Sequence, residues 1–460
     1  MTNVVLFAVL IVIGLIEGQF CALSSSDLSS PSVGQPLFLT PFIESGNISG
    51  GQFNSAVPQL KAGVKSYSGF LTVEKKYDSN IFFWYFPSEK DPENAPVVLW
   101  LQGGPGASSI YSVFEEHGPF YLKPRKGLRM RKHYWSQVVN IIYMDNPVGT
   151  GFSFTKSEKG YARNEVDVGN NLYEALRQFF ILFPKLQKND FFAAGESYAG
   201  KYVPAVAYAI HEKNPTAKMK INLKGIAIGN GFCDPPHMLK YGDYLYQIGL
   251  VDSHGRDQLK AEEQKIVELA DQGKYVQAFL TFDAMLNGDF TRYKTLFYNL
   301  TRFESYFNYL QSEVKPIHGD FVQYLNKHAV RRSLHVGNMT FNVDSKVAAY
   351  LVNDIMQSVK LWLQTLIENY RVLFYSGQLD IIVAYPLTVN FLQTLHWSGA
   401  DEYKTAVRKP WYVGTELAGY SKTVKGLTEV LVRNAGHAVS LDQPKYGLEL
   451  ISRFVSNENF

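Results

Sequence analysis

The chain has 460 residues, enough for one large α/β domain with an insertion or for two or three ordinary domains. Hydrophobic residues make up 46% and charged residues 19%, which excludes a disordered chain. A net charge of +3 without a Lys/Arg stripe excludes a nucleic-acid footprint, and the basic stretch from Lys123 to Lys132 is expected to be a solvated loop.

In chain order, Val4 to Ile16 is almost uninterrupted apolar sequence, broken by Glu17 and Gly18. It is too short to span a bilayer, which takes ~20 residues, so it predicts a signal peptide over residues 1–22, cleaved between Gly18 and Ala22. A secretory route follows, to the outside or to the lysosome, with no membrane attachment after cleavage. Three N-glycosylation sequons fit that route, at Asn47, Asn299 and Asn338. Of the two cysteines, Cys21 falls within the leader and leaves Cys233 single, so stability must come from the core.

Residues 23–62, rich in Ser, Pro and Gly, are expected to form a loosely packed arm. Strand-like sequence then dominates residues 63–234. Ile81–Phe86, Val97–Leu101 and Val138–Met144 are continuous apolar runs ending in Gly/Pro loops, the pattern of buried parallel strands. Asn164 to Phe180 has helical periodicity, and Phe191–Ala194 and Ile221–Ile228 resume the strand pattern. Alternation of this kind predicts an α/β sheet flanked by helices. Residues 235–320 change texture, with apolar positions at helical spacing from Leu259 to Leu286, and are expected to form an inserted helical cap. Residues 321–460 complete the core, with strands at Val372–Tyr375 and Thr428–Val432.

The chemistry gathers at the ends of these strands. Gly195-Glu196-Ser197-Tyr198-Ala199-Gly200 joins a strand to a helix and has the small residues of a nucleophile elbow, although Ala199 replaces the usual second glycine. A serine hydroxyl needs a base and a group to orient that base. Asp380 follows one late strand and His437 follows the next. The order Ser197, Asp380, His437 is the one expected of an α/β-hydrolase. Gln102-Gly103-Gly104-Pro105-Gly106 follows another strand and offers bare backbone to an oxyanion, as does the N–H of Tyr198. A phosphate loop is excluded because no Gly-Lys-Ser/Thr follows.

Five stretches together resemble the serine carboxypeptidases: residues 100–109, 116–120, 145–153, 195–204 and Gly436-His437. Within that family the chain is similar to the vitellogenic-like and venom branch. The resemblance implies a peptidase that removes C-terminal residues from peptides with a free carboxylate, through an acyl-enzyme and with no metal or cofactor. It implies that Gly104 and Tyr198 donate to the oxyanion, and that Gln102, Gly103, Glu116 and Glu196 hold the substrate's carboxylate. Two glutamates beside a carboxylate must carry protons, which implies tightest binding at acidic pH. Gln102 departs from the family's usual Asn, Gln378 from Asp, Ala107 from Cys and Ser440 from Pro. An esterase or acyltransferase on the same fold, or a carrier without turnover, are the competing expectations.

Overall fold

The computed structural model describes residues 32–460, apart from residues 59, 62, 124–125, 314–318 and 344–345. The expected signal peptide and Cys21 lie outside the described residues. Twelve strands are described: Tyr67–Glu74 (β1), Ser79–Phe86 (β2), Val97–Leu101 (β3), Phe120–Lys123 (β4), Gly127–Met130 (β5) and Asn140–Met144 (β6), followed by Phe191–Glu196 (β7), Leu223–Gly229 (β8), Arg371–Gly377 (β9), Lys409–Val413 (β10), Glu416–Val424 (β11) and Leu427–Val432 (β12). Ten of them form one sheet in the order β1-β2-β6-β3-β7-β8-β9-β12-β11-β10, and β4 and β5 form a separate hairpin.

The six central strands, β6 to β12 in that order, are parallel. Their sequences explain their position. β3, β6 and β7 are buried at every residue, as two helix-covered faces require. Side chains alternate between the faces. Val97, Leu99 and Leu101 join one core cluster with the helices Glu165–Leu182, Ala199–Lys213 and Lys360–Asn369. Val98 and Trp100 join the other, with Ile110–Glu115, Gly319–Leu325 and Pro444–Ser456. The helix Glu165–Leu182 is started by Asn164, whose side chain accepts the Asp167 N–H at 2.9 Å. This is an α/β-hydrolase fold. Its parallel strands bring the C-terminal ends of β3, β7, β9 and β12 to one rim, where ligands meet such sheets.

Four features differ from the sequence expectation. β2 is antiparallel to both β1 and β6, although buried throughout. An apolar run reports burial on two faces and carries no information on direction. Residues 38–55 are not loose: Leu39 is fully buried, Phe38 bridges to Phe70, and two short helices, Thr40–Glu44 and Ile48–Ser55, follow. The antiparallel edge pair β10 and β11 has a mixed polar sequence with no continuous apolar run to reveal it. Finally, the basic stretch is the β4–β5 hairpin, and Arg131 at its end is not a solvated charge. Its guanidinium donates to the carbonyls of Phe114, Gly118 (3.2 Å) and Phe120 (3.0 Å), and so braces the turn that carries Glu116.

Helices fill most of the chain between β8 and β9, from Tyr241 to Asn369. Among the described residues no helix is long and apolar enough to cross a membrane.

Candidate active site

Ser197 sits directly after β7 with φ at +63°, the left-handed conformation of a sharp strand-to-helix turn. The turn is closed by bonds from Ser197 N–H to the Gly229 carbonyl (3.0 Å) and from Gly200 N–H to the Ser197 carbonyl (2.9 Å). A Cβ on Gly195 would lie 2.5 Å from the Leu101 carbonyl oxygen and 2.7 Å from the Ala199 Cβ. With glycine at 195, the methyl of Ala199 fits, which is why the elbow tolerates alanine there. Ser197 is half-buried.

The glycine loop after β3 lies against this elbow. A Cβ on Gly103 would meet the Tyr198 nitrogen at 2.6 Å and the Ser197 Cβ at 2.7 Å. Gly104 has φ +112°, open to glycine alone. Among the described residues the N–H groups of Gly104 and Tyr198 make no hydrogen bond, so both remain available to an oxyanion. The loop is fixed from below by Asp145 at the end of β6. Its carboxylate accepts from the Ser108 hydroxyl at 2.5 Å and from the Phe152 N–H at 2.9 Å. A Cβ on Gly151 would strike that carboxylate at 2.1 Å. Burial pushes Asp145 up to about 7.

Asp380 and His437 meet at the same rim. His437 Nδ1 and Asp380 Oδ2 are 2.8 Å apart, with Asp380 fully buried. The bond orients the ring and leaves Nε2, which is buried and bonded to nothing in the protein, to face a reacting group. No hydrogen bond joins Nε2 to Ser197; such contacts often close only around substrate. Asn230, at the end of β8, completes the arrangement. Its Nδ2 donates to Asp380 Oδ2 at 2.5 Å, and its Oδ1 accepts the Gly377 N–H at 3.0 Å. It lies at φ +42° between two glycines. No role was expected for it from the sequence; its place between Gly229 and Gly231 at the end of a central strand is the one local sign of it.

Beside the nucleophile lies a carboxyl cluster. Gln102 Nε2 donates to Glu116 Oε1 at 3.0 Å and to Glu196 Oε1 at 3.2 Å. Glu116 is 0% exposed and Glu196 3%, so neither is a surface charge. Burial raises both carboxyls, and the charge of Glu116 pushes Glu196 further, well above its usual range. Both shifts favour a protonated carboxyl over two charges side by side. Gln102 Oε1 and Glu116 Oε2 are buried without a partner, polar atoms left for a ligand. His117 stacks 4.0 Å from Trp135 and bonds the Tyr143 hydroxyl; its Nε2 lies 3.6 Å from Glu116 Oε2, but burial disfavours the imidazole's charge.

The sequons fall elsewhere. Asn47, Asn299 and Asn338 are all exposed.

A serine carboxypeptidase family model matches residues 58–457. The venom serine carboxypeptidase of Apis mellifera is 55% identical, over 96% of this chain and 94% of its own. The vitellogenic carboxypeptidase of Aedes aegypti is 44% identical, over 92% and 90%. A probable serine carboxypeptidase of Homo sapiens is 45% identical, over 99% and 97%. Among solved structures, the prohormone-processing carboxypeptidase Kex1 of Saccharomyces cerevisiae superposes with a TM-score of 0.74, at 23% identity, covering 88% of this chain and 96% of that one. That likeness bears on the fold.

Proposed function

The chain belongs to the serine carboxypeptidase family, a family of peptide-bond hydrolases, and from that premise we propose the role of each residue, the substrate and the working conditions. Ser197 Oγ attacks the carbonyl carbon of the last peptide bond while His437 Nε2 takes its proton. Gly104 and Tyr198 N–H groups receive the oxyanion, each worth on the order of 3 kcal/mol of barrier. His437 returns the proton to the departing amine, the acyl-enzyme forms, and water then attacks it by the same route. Asp380 fixes the imidazole tautomer and stabilises its cation. Gln102, the Gly103 N–H and the proton-sharing Glu116 and Glu196 hold the free carboxylate of the leaving residue.

The observation that carries this reading is the buried Gln102–Glu116–Glu196 cluster, one residue from the nucleophile. An esterase or acyltransferase has no use for a carboxylate-sized cradle that must be protonated to work. Ionising the pair as pH rises adds negative charge facing the substrate's carboxylate, so affinity falls with pH. We place the enzyme in the secretory pathway, secreted or lysosomal, as an N-glycosylated protein. The apolar leader and the three exposed sequons support this location.

The test compares N-blocked dipeptides carrying a free or an amidated C-terminus, from about pH 5 to about pH 8. Free-acid peptides should show a KM that climbs with pH, and amidated peptides a flat one. Turnover of esters without release of any free amino acid would overturn the peptidase assignment of these residues. A flat KM for free-acid peptides would remove the proton-sharing glutamates.

A further inference from the structure

The segment Tyr306–Tyr309, from the helical region between β8 and β9, lies across both turns that carry the acid–base pair. The Phe307 carbonyl accepts the His437 N–H at 2.7 Å. The Tyr306 carbonyl accepts the N–H groups of Ile381 and Ile382 at 3.2 and 3.1 Å, and the Tyr309 N–H donates to the Leu379 carbonyl at 2.9 Å. Asn308 Nδ2 and the Gly436 N–H both donate to Asp442 Oδ2, at 3.1 and 2.7 Å. Approach is so close that a Cβ on Gly436 would lie 2.4 Å from the Phe307 carbonyl oxygen. The main chain of the segment is therefore tied to residues on either side of Asp380 and to His437 itself.

Phenylalanine is among the residue types most often found fully buried. Phe307 is 39% exposed instead, with its ring 5.3 Å from the imidazole, centroid to centroid. Leu310, three residues on, is 71% exposed, and Leu441, next to the Asp442 that Asn308 binds, is 37% exposed. The Phe307 ring thus gives the imidazole a partly exposed apolar flank supplied from outside the sheet. In the mechanism above, the amine of the departing residue receives its proton from that imidazole, so its side chain is carried close to this flank.

We propose that Phe307 is a specificity-determining residue: its ring forms a wall for the side chain of the departing C-terminal residue and selects apolar ones, such as Leu or Phe, over Ala. This inference rests on the carboxypeptidase reading of the site. Contacts of this kind discriminate by about 10- to 200-fold per methylene-sized difference.

The test uses the full chain and N-blocked dipeptides identical except for a C-terminal Leu, Phe or Ala. In Phe307→Ala the kcat/KM ratio of Leu over Ala should fall about tenfold, because the missing ring removes an apolar contact. Phe307→Leu keeps an apolar side chain of smaller volume. It should retain the Leu-over-Ala preference while shifting Phe against Leu, and it serves if the alanine variant does not fold. Unchanged ratios in a folded variant, or an equal loss on all three peptides, would overturn the proposal and leave the ring as a brace for His437. A parent enzyme that reacts with a fluorophosphonate yet frees no amino acid from any of the three fails earlier, at the carboxypeptidase reading, and takes the proposal with it.

Discussion

Ser197 and the glycine loop stand on neighbouring parallel strands, paired at Leu101 and Gly195, and are pressed together by contacts that leave no room for a methyl group. Asp380 and His437 instead occupy turns beyond β9 and β12, and these turns are held by polar bonds from other parts of the chain. Asn230 grips the Asp380 carboxylate, the Tyr244 hydroxyl donates to the Asp380 carbonyl at 2.9 Å, and Tyr306–Tyr309 binds both turns. One half of the site is set by close packing of small residues, the other by a web of hydrogen bonds from distant sequence. Packing of the first kind fails abruptly when a single atom is added. The second kind should fail by degrees, as individual bonds are removed.

The largest effect expected is that of Ser197→Ala, which removes the nucleophile without changing the packing. Peptidase kcat should drop by about 10⁶-fold and fluorophosphonate labelling should vanish, with the thermal midpoint close to the parent's. Labelling that persists would move the nucleophile elsewhere. Gly103→Ala tests the packed half. The added methyl must displace the Tyr198 nitrogen, and losing one oxyanion donor lowers kcat by about 10²- to 10³-fold. A variant with near-parental kcat would mean that the loop yields more easily than the 2.6 Å approach implies.

Asn230→Ala tests the bonded half, with a smaller loss of kcat expected, about 10- to 100-fold. Asn230 ties Asp380 Oδ2 to the Gly377 N–H, so its removal frees the carboxylate that orients the imidazole. A loss of stability with kcat unchanged would reduce Asn230 to a purely structural bond.

The smallest effect per group is on stability. Burial raises Glu116 and Glu196 above the usual carboxyl range, lifts Asp145 and Glu263 to about 7, and lifts Glu165 to about 8. The folded chain then keeps protons that the unfolded chain releases above the ordinary carboxyl range, so stability falls as pH rises towards those values. Buried His117, depressed below 6.5, acts oppositely, but only below that pH. Between about pH 6.5 and 8, each carboxyl still protonated in the fold should lower unfolding free energy by about 1.4 kcal/mol per pH unit. Urea midpoints that rise over this interval would contradict the assignment.

The same division explains what the sequence discloses. The elbow, the glycine loop and the order of the three catalytic side chains are legible because each is a contiguous motif at the end of a strand. The carboxyl pair at Glu116 and Glu196 comes from the family resemblance; spacing alone does not bring residues 80 positions apart together. Asn230 and Tyr306–Tyr309 escape notice because their partners are carbonyls and carboxylates far along the chain, and Arg131 is misread as solvated because no local periodicity encodes its bonds to nearby turn carbonyls. β2 reveals its burial and hides its direction, since pairing depends on the route taken by the chain between strands.

Cys233, the one cysteine among the described residues, is buried as a free thiol, and its surroundings push its ionisation well above the usual range. A thiol that neither ionises nor meets solvent is a poor target for oxidants, alkylating agents or exchange partners. The described fold therefore has no covalent staple for a reductant to open. Activity should survive strong reducing agents that disable cross-linked secreted enzymes.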